Sequence, residues 1–408
     1  MINLPQGYLE ISVFAGNIAN PLENVEIIVK GDNIEKRYIT DANGKIGKIT
    51  LDTVDKKYTL YPQNSVIPYK KVNIQCTKEG YISKTIKDVE IIEDETTLQN
   101  IFLNETSTSN SEDEIIYTED ILLFKSNEVS RNKLEDNLTT YVLDEIVIPE
   151  NIIVHDGVPT NTSASNYTVN FREYIKNVAC SEIYSTWPKE TLKANVLCII
   201  SFTLNRIYTE WYKSRGYNFT ITSSPAYDQK YTHGRAIFES ISKVVDEIFT
   251  NYLQREGKQE PLLALYNDGI KVNKKGWFSQ WGSKDLGDKG YSSMQIVRYY
   301  YGEDIEKNIA KRVNGIIDSY PGFDLKQGDC NIYVQKIQNQ LNYIRGSYPL
   351  IKQIQNPDGI FNKDTKEAVK IFQNIFNLNV TQIVDYATWY KISYVFVAVT
   401  KMIQGIYE

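Results

Sequence analysis

The spacing of apolar residues changes period along this chain, from two to 3.6, and no single kind of layer can accommodate both. Over residues 1–104 the pattern alternates, with Leu9, Ile11 and Val13 in YLEISVF and Val25, Ile27 and Val29 in VEIIVKG. In ITDANGKIGKITL, Asn43-Gly44 sits between two such runs and signals a hairpin. From about residue 322 the period is helical. VQKIQNQL (334–341) and VKIFQNIF (369–376) are short amphipathic helices, and Asp358-Gly359 makes the turn before the second. There Asp364 and Glu367 have the spacing of an N-cap and capping box. At 408 residues the chain outgrows a single core, so the change of period marks domains. The acidic, Ser/Thr-rich run ETSTSNSEDEIIYTED (105–120) is the expected exposed linker, where proteolysis concentrates. After it, DEIVIPENIIVHDGVP reads as a strand pair opening the next domain.

The middle of the chain, about 140 to 310, mixes both signals. NFREYIKNVACSEI places Ile175, Val178, Ala179 and Glu182 at i, i+3, i+4 and i+7, one stripe of a helix. Trp187-Pro188 interrupts, and Pro188 suits the first turn of a following helix. That helix, KETLKANVLCIISFTLNRIYTEWYKSRG, is apolar over much of its circumference and should be buried, with Gly216 at its stop. A carboxylate closing an apolar stripe has two readings. Glu182 is either a solvated charge at a helix end or an acid placed where burial can raise its pKa. Position alone leaves both open. Trp277 and Trp281 are likewise core residues or groove residues, and Asp228 and Gln229 after Pro225 are turn residues or ligands.

Composition excludes several functions. A net charge of −6 argues against a nucleic-acid partner, which needs clustered Lys and Arg. Cys76, Cys180, Cys198 and Cys330 are far apart and in no CxxC pattern, so they read as buried thiols rather than a disulfide frame or zinc site. His155 and His233 are too few for a His-rich metal centre and read as structural or surface residues. Tyrosine outnumbers phenylalanine, 30 to 14. That excess suits stacking on sugar faces, and it also follows from compositional drift in an AT-rich genome. MINLPQGYLEISVF lacks a basic segment followed by an apolar one, and no later run is long enough for a membrane span. A protein acting outside the cytoplasm would then get there without a standard secretion signal.

Three groups of residues carry a family resemblance. In the last domain Gln338 and Leu341, Asp358-Gly359-Ile360-Phe361, Thr365, Ala368-Val369, Phe372-Gln373 and Thr388-Trp389 resemble the peptidoglycan-binding domain of cell-wall hydrolases. Asn362 replaces the usual Gly, and the second DG is lost in NVTQIVDYATW. The segments YITDANGK and TKEGY resemble a carboxypeptidase regulatory-like sandwich. IPENIIVHDGVPTNTSASNYTV, YIKNVACSEIYSTWP, KANVLCIISFTLNRIYTEWY, RGYNFTITSSPAYDQKY, SQWGS and VRYYYG resemble the stage II sporulation protein D superfamily of lytic transglycosylases. The order of all three resembles the clostridial spore cortex-lytic enzyme SleC family.

The resemblance implies a multidomain α+β fold. Its parts are a β-sandwich at 1–104, a linker at 105–131, a mixed α/β catalytic domain at 132–320 and a small helical peptidoglycan-binding domain at 321–408. It implies Glu182 as the acid/base for cleaving MurNAc–GlcNAc linkages, with Asp228, Gln229, Tyr231, Ser279, Gln280, Trp281 and Gly282 lining the glycan groove. No cofactor is expected, and no metal, because this chain lacks the cysteines with which some related enzymes bind zinc. The resemblance also implies glycan strands and an activating protease as partners, a removable pro-region, and a place in the spore cortex or coat. One loop departs from the pattern: YNDGIKVNKKGW has Asn267 and Lys274 near the places where related enzymes carry cysteines. Reduced or lost activity in a wall-binding coat protein is the alternative this raises. A wall-degrading component of a phage tail or injection machine is the other.

Overall fold

The computed structural model describes residues 4–32, 34–62, 66–106, 112–125, 143 and 145–406. The expected linker at 105–131 and the start of the next domain at 132 therefore lie partly outside the described residues.

The alternating segments form β1 (Gln6–Ala15), β2 (Glu26–Gly31), β3 (Ile34–Ile39), β4 (Ile49–Asp52), β5 (Lys70–Thr77), β6 (Lys84–Ile91), β7 (Thr96–Leu103) and β8 (Glu114–Tyr117). One sheet runs β3-β2-β5-β6-β8, and β7-β1-β4 lies in the other. Period two puts Leu9, Ile11 and Val13 of β1 against Ile27 and Val29 of β2, all without exposed surface, so the sheets close on each other as a sandwich. The Asn43-Gly44 turn forms, with Gly44 at φ 71° and the Asp41 carboxylate accepting from Asn43 and Lys45 N–H at 2.9 Å. It is not a hairpin, however. β3 pairs with β2 and β4 with β1, so the turn is a corner carrying the chain between sheets. Within the expected linker, residues 114–117 instead add β8 to the sheet in parallel with β6, and Ile121 and Leu123 are buried in the next domain.

After α1 (Leu122–Lys125), the central region holds β9 (Val147–Ile148), β10 (Asn151–His155), β11 (Asn166–Asn170), α2 (Phe171–Glu182) and α3 (Lys189–Tyr208). It continues with β12 (Ile221–Thr222), β13 (Ile237–Phe238), α4 (Glu239–Ile248), β14 (Asn251–Arg255), β15 (Tyr266–Asn267), β16 (Phe278–Ser279), α5 (Gln280–Asp288), α6 (Ser293–Tyr301), β17 (Ile305–Ile309) and β18 (Arg312–Val313). The expected strand pair at 147–155 does not pair with itself. β9 pairs with β18, and β10 lies between β11 and β12. The apolar circumference of α3 is accounted for by burial: Val196, Leu197, Ile199, Ile200, Phe202 and Leu204 are all covered. Pro188 is its N-cap. Gly216 closes a separate short turn at Lys213–Arg215, in the left-handed conformation at φ 83°.

The last domain is α7 (Ile332–Ile344), α8 (Lys363–Ile375) and α9 (Tyr386–Ile406). Its motif glutamines are buried braces. Gln338 binds Ile360 O, the Thr365 hydroxyl and Gly359 N–H; Gln373 binds Ile383 O and the hydroxyls of Thr381 and Thr388. The cap of α8 is Asn362, which accepts from Thr365 N–H at 3.0 Å, while Asp364 sits in the first turn. The residue that replaces the family's Gly thus takes the capping place assigned to Asp364.

The domains are joined through contacts. Ile237 and Phe238 of β13 pair antiparallel with Leu98 and Thr97 of β7, so the central region supplies an edge strand to the N-terminal sandwich. Lys45 of the sandwich donates to Ile375 O at 2.9 Å and Asn377 Oδ1 at 3.0 Å in the last domain.

Candidate active site

Glu182 is the last residue of α2 and has no exposed surface. The stripe placed it there: Ile175, Val178 and Ala179 are also fully buried, and α2 is covered on nearly every side. Its Oε1 accepts from the Lys230 backbone N–H at 2.8 Å. Its Oε2 lies 3.4 Å from Gln280 Nε2. Two segments far apart in sequence, 228–231 and 279–282, therefore converge on one carboxyl group.

Aromatic rings sit next to it. Trp187 and Trp281 have centroids 4.9 Å apart, and Tyr184 is 6.1 Å from each. The proline after Trp187 is the N-cap of α3 and turns the chain into that helix. Ser279 caps α5, its hydroxyl accepting from Gly282 N–H at 2.9 Å, and so aims Gln280 and Trp281 inward. A Cβ at Gly282 would lie 2.1 Å from the Tyr300 hydroxyl oxygen and 2.9 Å from Ser279 Oγ, so a larger residue there would have to displace them.

Not every expected groove residue faces Glu182. Asp228 is fully buried and pairs with Arg206 Nε at 2.9 Å, while its other oxygen accepts from the Tyr212 hydroxyl at 2.5 Å and from Thr222. Gln229 is also fully buried, held by the hydroxyls of Tyr174 and Thr203 and by Ile199 O. These two brace the turn whose next N–H reaches Glu182. Tyr231 stacks on Tyr174 at 5.7 Å, and its hydroxyl lies 3.4 Å from His233 Nδ1. His233 itself stacks on Tyr167 at 3.7 Å. The altered loop is held by Asp268, whose Oδ1 accepts from Ile270, Lys271 and Val272 N–H at 3.0–3.1 Å, with Gly269 at φ 79°.

The N-terminal sandwich packs against residues next to the site. Thr59 O accepts from Trp187 Nε1 at 3.0 Å, and the Thr59 and Thr186 hydroxyls are 2.6 Å apart. Glu95 accepts from Ser240 Oγ at 2.6 Å. Glu90 pairs with Arg235, both buried. Burial pushes the Glu90 carboxyl up to about 7 against the pull of that guanidinium. Backbone donors and the covering loop left no mark in the sequence motifs. Lys230 acts through its main chain, and residues 56–59 sit in the domain that carries no chemistry of its own. Among the described residues no cluster of His, Cys, Asp and Glu could hold a metal ion, and no helix is long and apolar enough to cross a membrane.

Residues 160–252 match the family model of the stage II sporulation protein, and residues 333–392 match that of a peptidoglycan binding domain. The chain thus carries a sporulation-protein region followed by a wall-binding region, in the order the resemblance implies. The two point to a protein that acts at the cell wall. No curated protein matches the chain. Among solved structures, the Bacillus anthracis TIE protein is similar at 21% identity over 26% of this chain, with a TM-score of 0.19. The match spans 18% of that structure.

Proposed function

We propose that this chain is a peptidoglycan lytic transglycosylase, with Glu182 as its single acid/base. The observation that carries the reading is the setting of Glu182. It is a fully buried carboxyl between the Lys230 N–H and Gln280, and the segments that follow it and Gln280 carry a cluster of two tryptophans and a tyrosine. A buried carboxyl is the form of acid that can hold a proton for a leaving group. The reaction needs no second carboxylate. The acid gives its proton to the glycosidic oxygen, the bond to the anomeric carbon breaks, and the C6 hydroxyl of the same muramyl sugar attacks that carbon. The hydroxyl's proton returns to Glu182 and leaves an anhydro sugar. Trp187 and Trp281 are both buried in this state, and a sugar ring could stack on them only once they are uncovered.

The site is closed in this state, and a glycan strand must displace something to reach Glu182. The sandwich covers the neighbouring Trp187, whose Nε1 donates to Thr59 O. This supports a latent form opened by proteolysis and removal of residues 1–104, as for a spore cortex enzyme activated in germination. The altered loop is self-supporting through Asp268, so a changed loop does not by itself argue for a lost activity.

Digestion of purified cortex sacculi by the full-length chain and by the chain freed of its sandwich tests the reading, with mass spectrometry of the products. The freed form should release anhydro-muropeptides, and Glu182→Gln should lower that release by about 10²–10⁴-fold with sacculus binding retained. Intact glycan bound by the freed form would favour the non-catalytic wall-binding protein.

A further inference from the structure

The Lys230 side chain turns to Glu119, so its main-chain N–H, the donor to Glu182, has to be placed by the residues around it. Just before it, Asp228 and Gln229 fasten the chain. Their partners Arg206, Thr203 and Ile199 lie on α3 and Thr222 on β12, while the Tyr174 hydroxyl reaches Gln229 from α2 at 3.1 Å. Just after it, the hold on α2 is closer.

Asn177 is buried and lies five residues before Glu182 on that helix. Its Nδ2 donates to Thr232 O at 2.8 Å, and its Oδ1 accepts from Thr232 N–H at 3.0 Å. A planar amide that meets both main-chain groups of one residue fixes where that residue sits and which way its chain runs. The Thr232 hydroxyl is buried and has no partner among the described residues, so residue 232 is held by its main chain rather than its side chain. Two residues earlier, the Lys230 N–H meets Glu182 Oε1 at 2.8 Å. Donor and acceptor are thus both referred to one rigid helix, the donor through Asn177 and the acceptor directly.

An N–H bond favours the charged form of a carboxyl group, and burial favours the neutral one. An acid that gives up a proton and takes one back needs both forms within reach. We propose that Asn177 is a positioning residue: through the Thr232 main chain it holds the Lys230 N–H on the carboxylate that forms when Glu182 releases its proton. The inference deepens the reading of Glu182 as acid/base, and its role in turnover rests on that reading.

The test is the titration of Glu182 in the full chain carrying ¹³C-carboxyl-labelled glutamate, with the signal assigned by its loss in Glu182→Gln. Asn177→Leu keeps the size of the side chain and removes both bonds to Thr232. The midpoint should rise by about one pH unit, an about tenfold tighter hold on the proton, and the Lys230 amide signal should no longer follow it as it does in the parent. The charged groups of the neighbouring segments are paired in both proteins, Asp228 with Arg206, Lys230 Nζ with Glu119 and Glu90 with Arg235. Burial pushes the Tyr174 phenol well above its usual range, so it stays neutral throughout. The difference between parent and variant cancels all of these. A residue that served stability alone would lower the melting temperature and leave the midpoint in place. Should Asn177→Leu fail to fold, Asn177→Ser leaves room for a water at Thr232 and should tighten the hold on the proton by about threefold. An unchanged or lowered midpoint in a folded variant overturns the proposal. The titration needs no turnover. A chain that shows the rise but releases no anhydro-muropeptides therefore supports the placement by Asn177 and sinks the acid/base reading instead.

Discussion

At the scale of single residues, a shared motif separates into groups that touch Glu182 and groups that hold those groups in place. Asp228 belongs to the second kind, as a fully buried partner of Arg206 rather than a groove residue. Removing its charge leaves the guanidinium uncompensated, so Asp228→Asn should cost about 3–5 kcal/mol in urea unfolding. The fraction that stays folded should bind sacculi as the parent does, whereas a groove residue would lose binding first. Gly269 makes a second case. A Cβ there would lie 1.7 Å from Ser279 Oγ, at a φ of 79° that side chains avoid. Gly269→Ala should therefore displace the Ser279 cap and lower the melting temperature, by an amount corresponding to about 1–3 kcal/mol. The stripe that ends on Glu182 was legible, because helical period is a property of neighbours along the chain, but it left open whether the carboxyl itself is buried. What binds that carboxyl was not legible. The Lys230 donor is main chain, and the Asp228–Arg206 pair joins residues whose proximity no local period encodes.

Secondary-structure elements show the same division between what is local and what is not. Alternation marked the strands of the sandwich correctly, yet Asn43-Gly44 joins β3 and β4 in different sheets. A turn dipeptide specifies a reversal of the chain, and pairing is decided by which faces bury together. The start of α8 gives a direct test. Asn362 Oδ1 accepts from Thr365 N–H, so Asn362→Ala should cost about 1 kcal/mol and Asp364→Ala only a few tenths in thermal unfolding. Equal losses would return the cap to Asp364. Between α2, α4 and α9, Arg172, Lys176 and Lys391 face Glu173 and Asp246, three cations against two anions. Burial lowers Lys391 to about 8, while the surrounding cations hold Glu173 down to about 2 against partial desolvation. Lys391→Met removes the surplus charge and keeps the stem, so the variant should be as stable as the parent at neutral pH, or more so by about 1 kcal/mol. A loss of stability would show that Lys391 is needed by Glu173.

Over the whole molecule, the sandwich is held to the central region by more than the chain that links them. β13 extends its sheet through β7, Thr59 caps Trp187, and Glu90 pairs with Arg235. A nick among residues 107–111 would leave β8, attached to the central region, still paired with β6. The nicked sandwich should therefore stay bound, and cleavage and opening are separable steps. Glu90 makes the second step depend on pH. Its carboxyl is raised from 4.5 to about 7 by burial, against the pull of Arg235 and Lys71 and with the push of Asp120. The docked state holds that proton more tightly than the separated one. Its contribution to docking is thus full below about 4.5 and is lost as pH rises through about 7. Glu95, also raised by burial, acts in the same direction. His233, lowered by burial, acts in the opposite one at acid pH. A comparison of the nicked parent with nicked Glu90→Gln cancels both. The ratio of their dissociation constants, parent over variant, should rise on the order of tenfold or more between pH 5 and pH 8 in sedimentation or size-exclusion measurements. A ratio that does not move with pH would mean that Glu90 stays ionised in the docked state and meets Arg235 as a full ion pair.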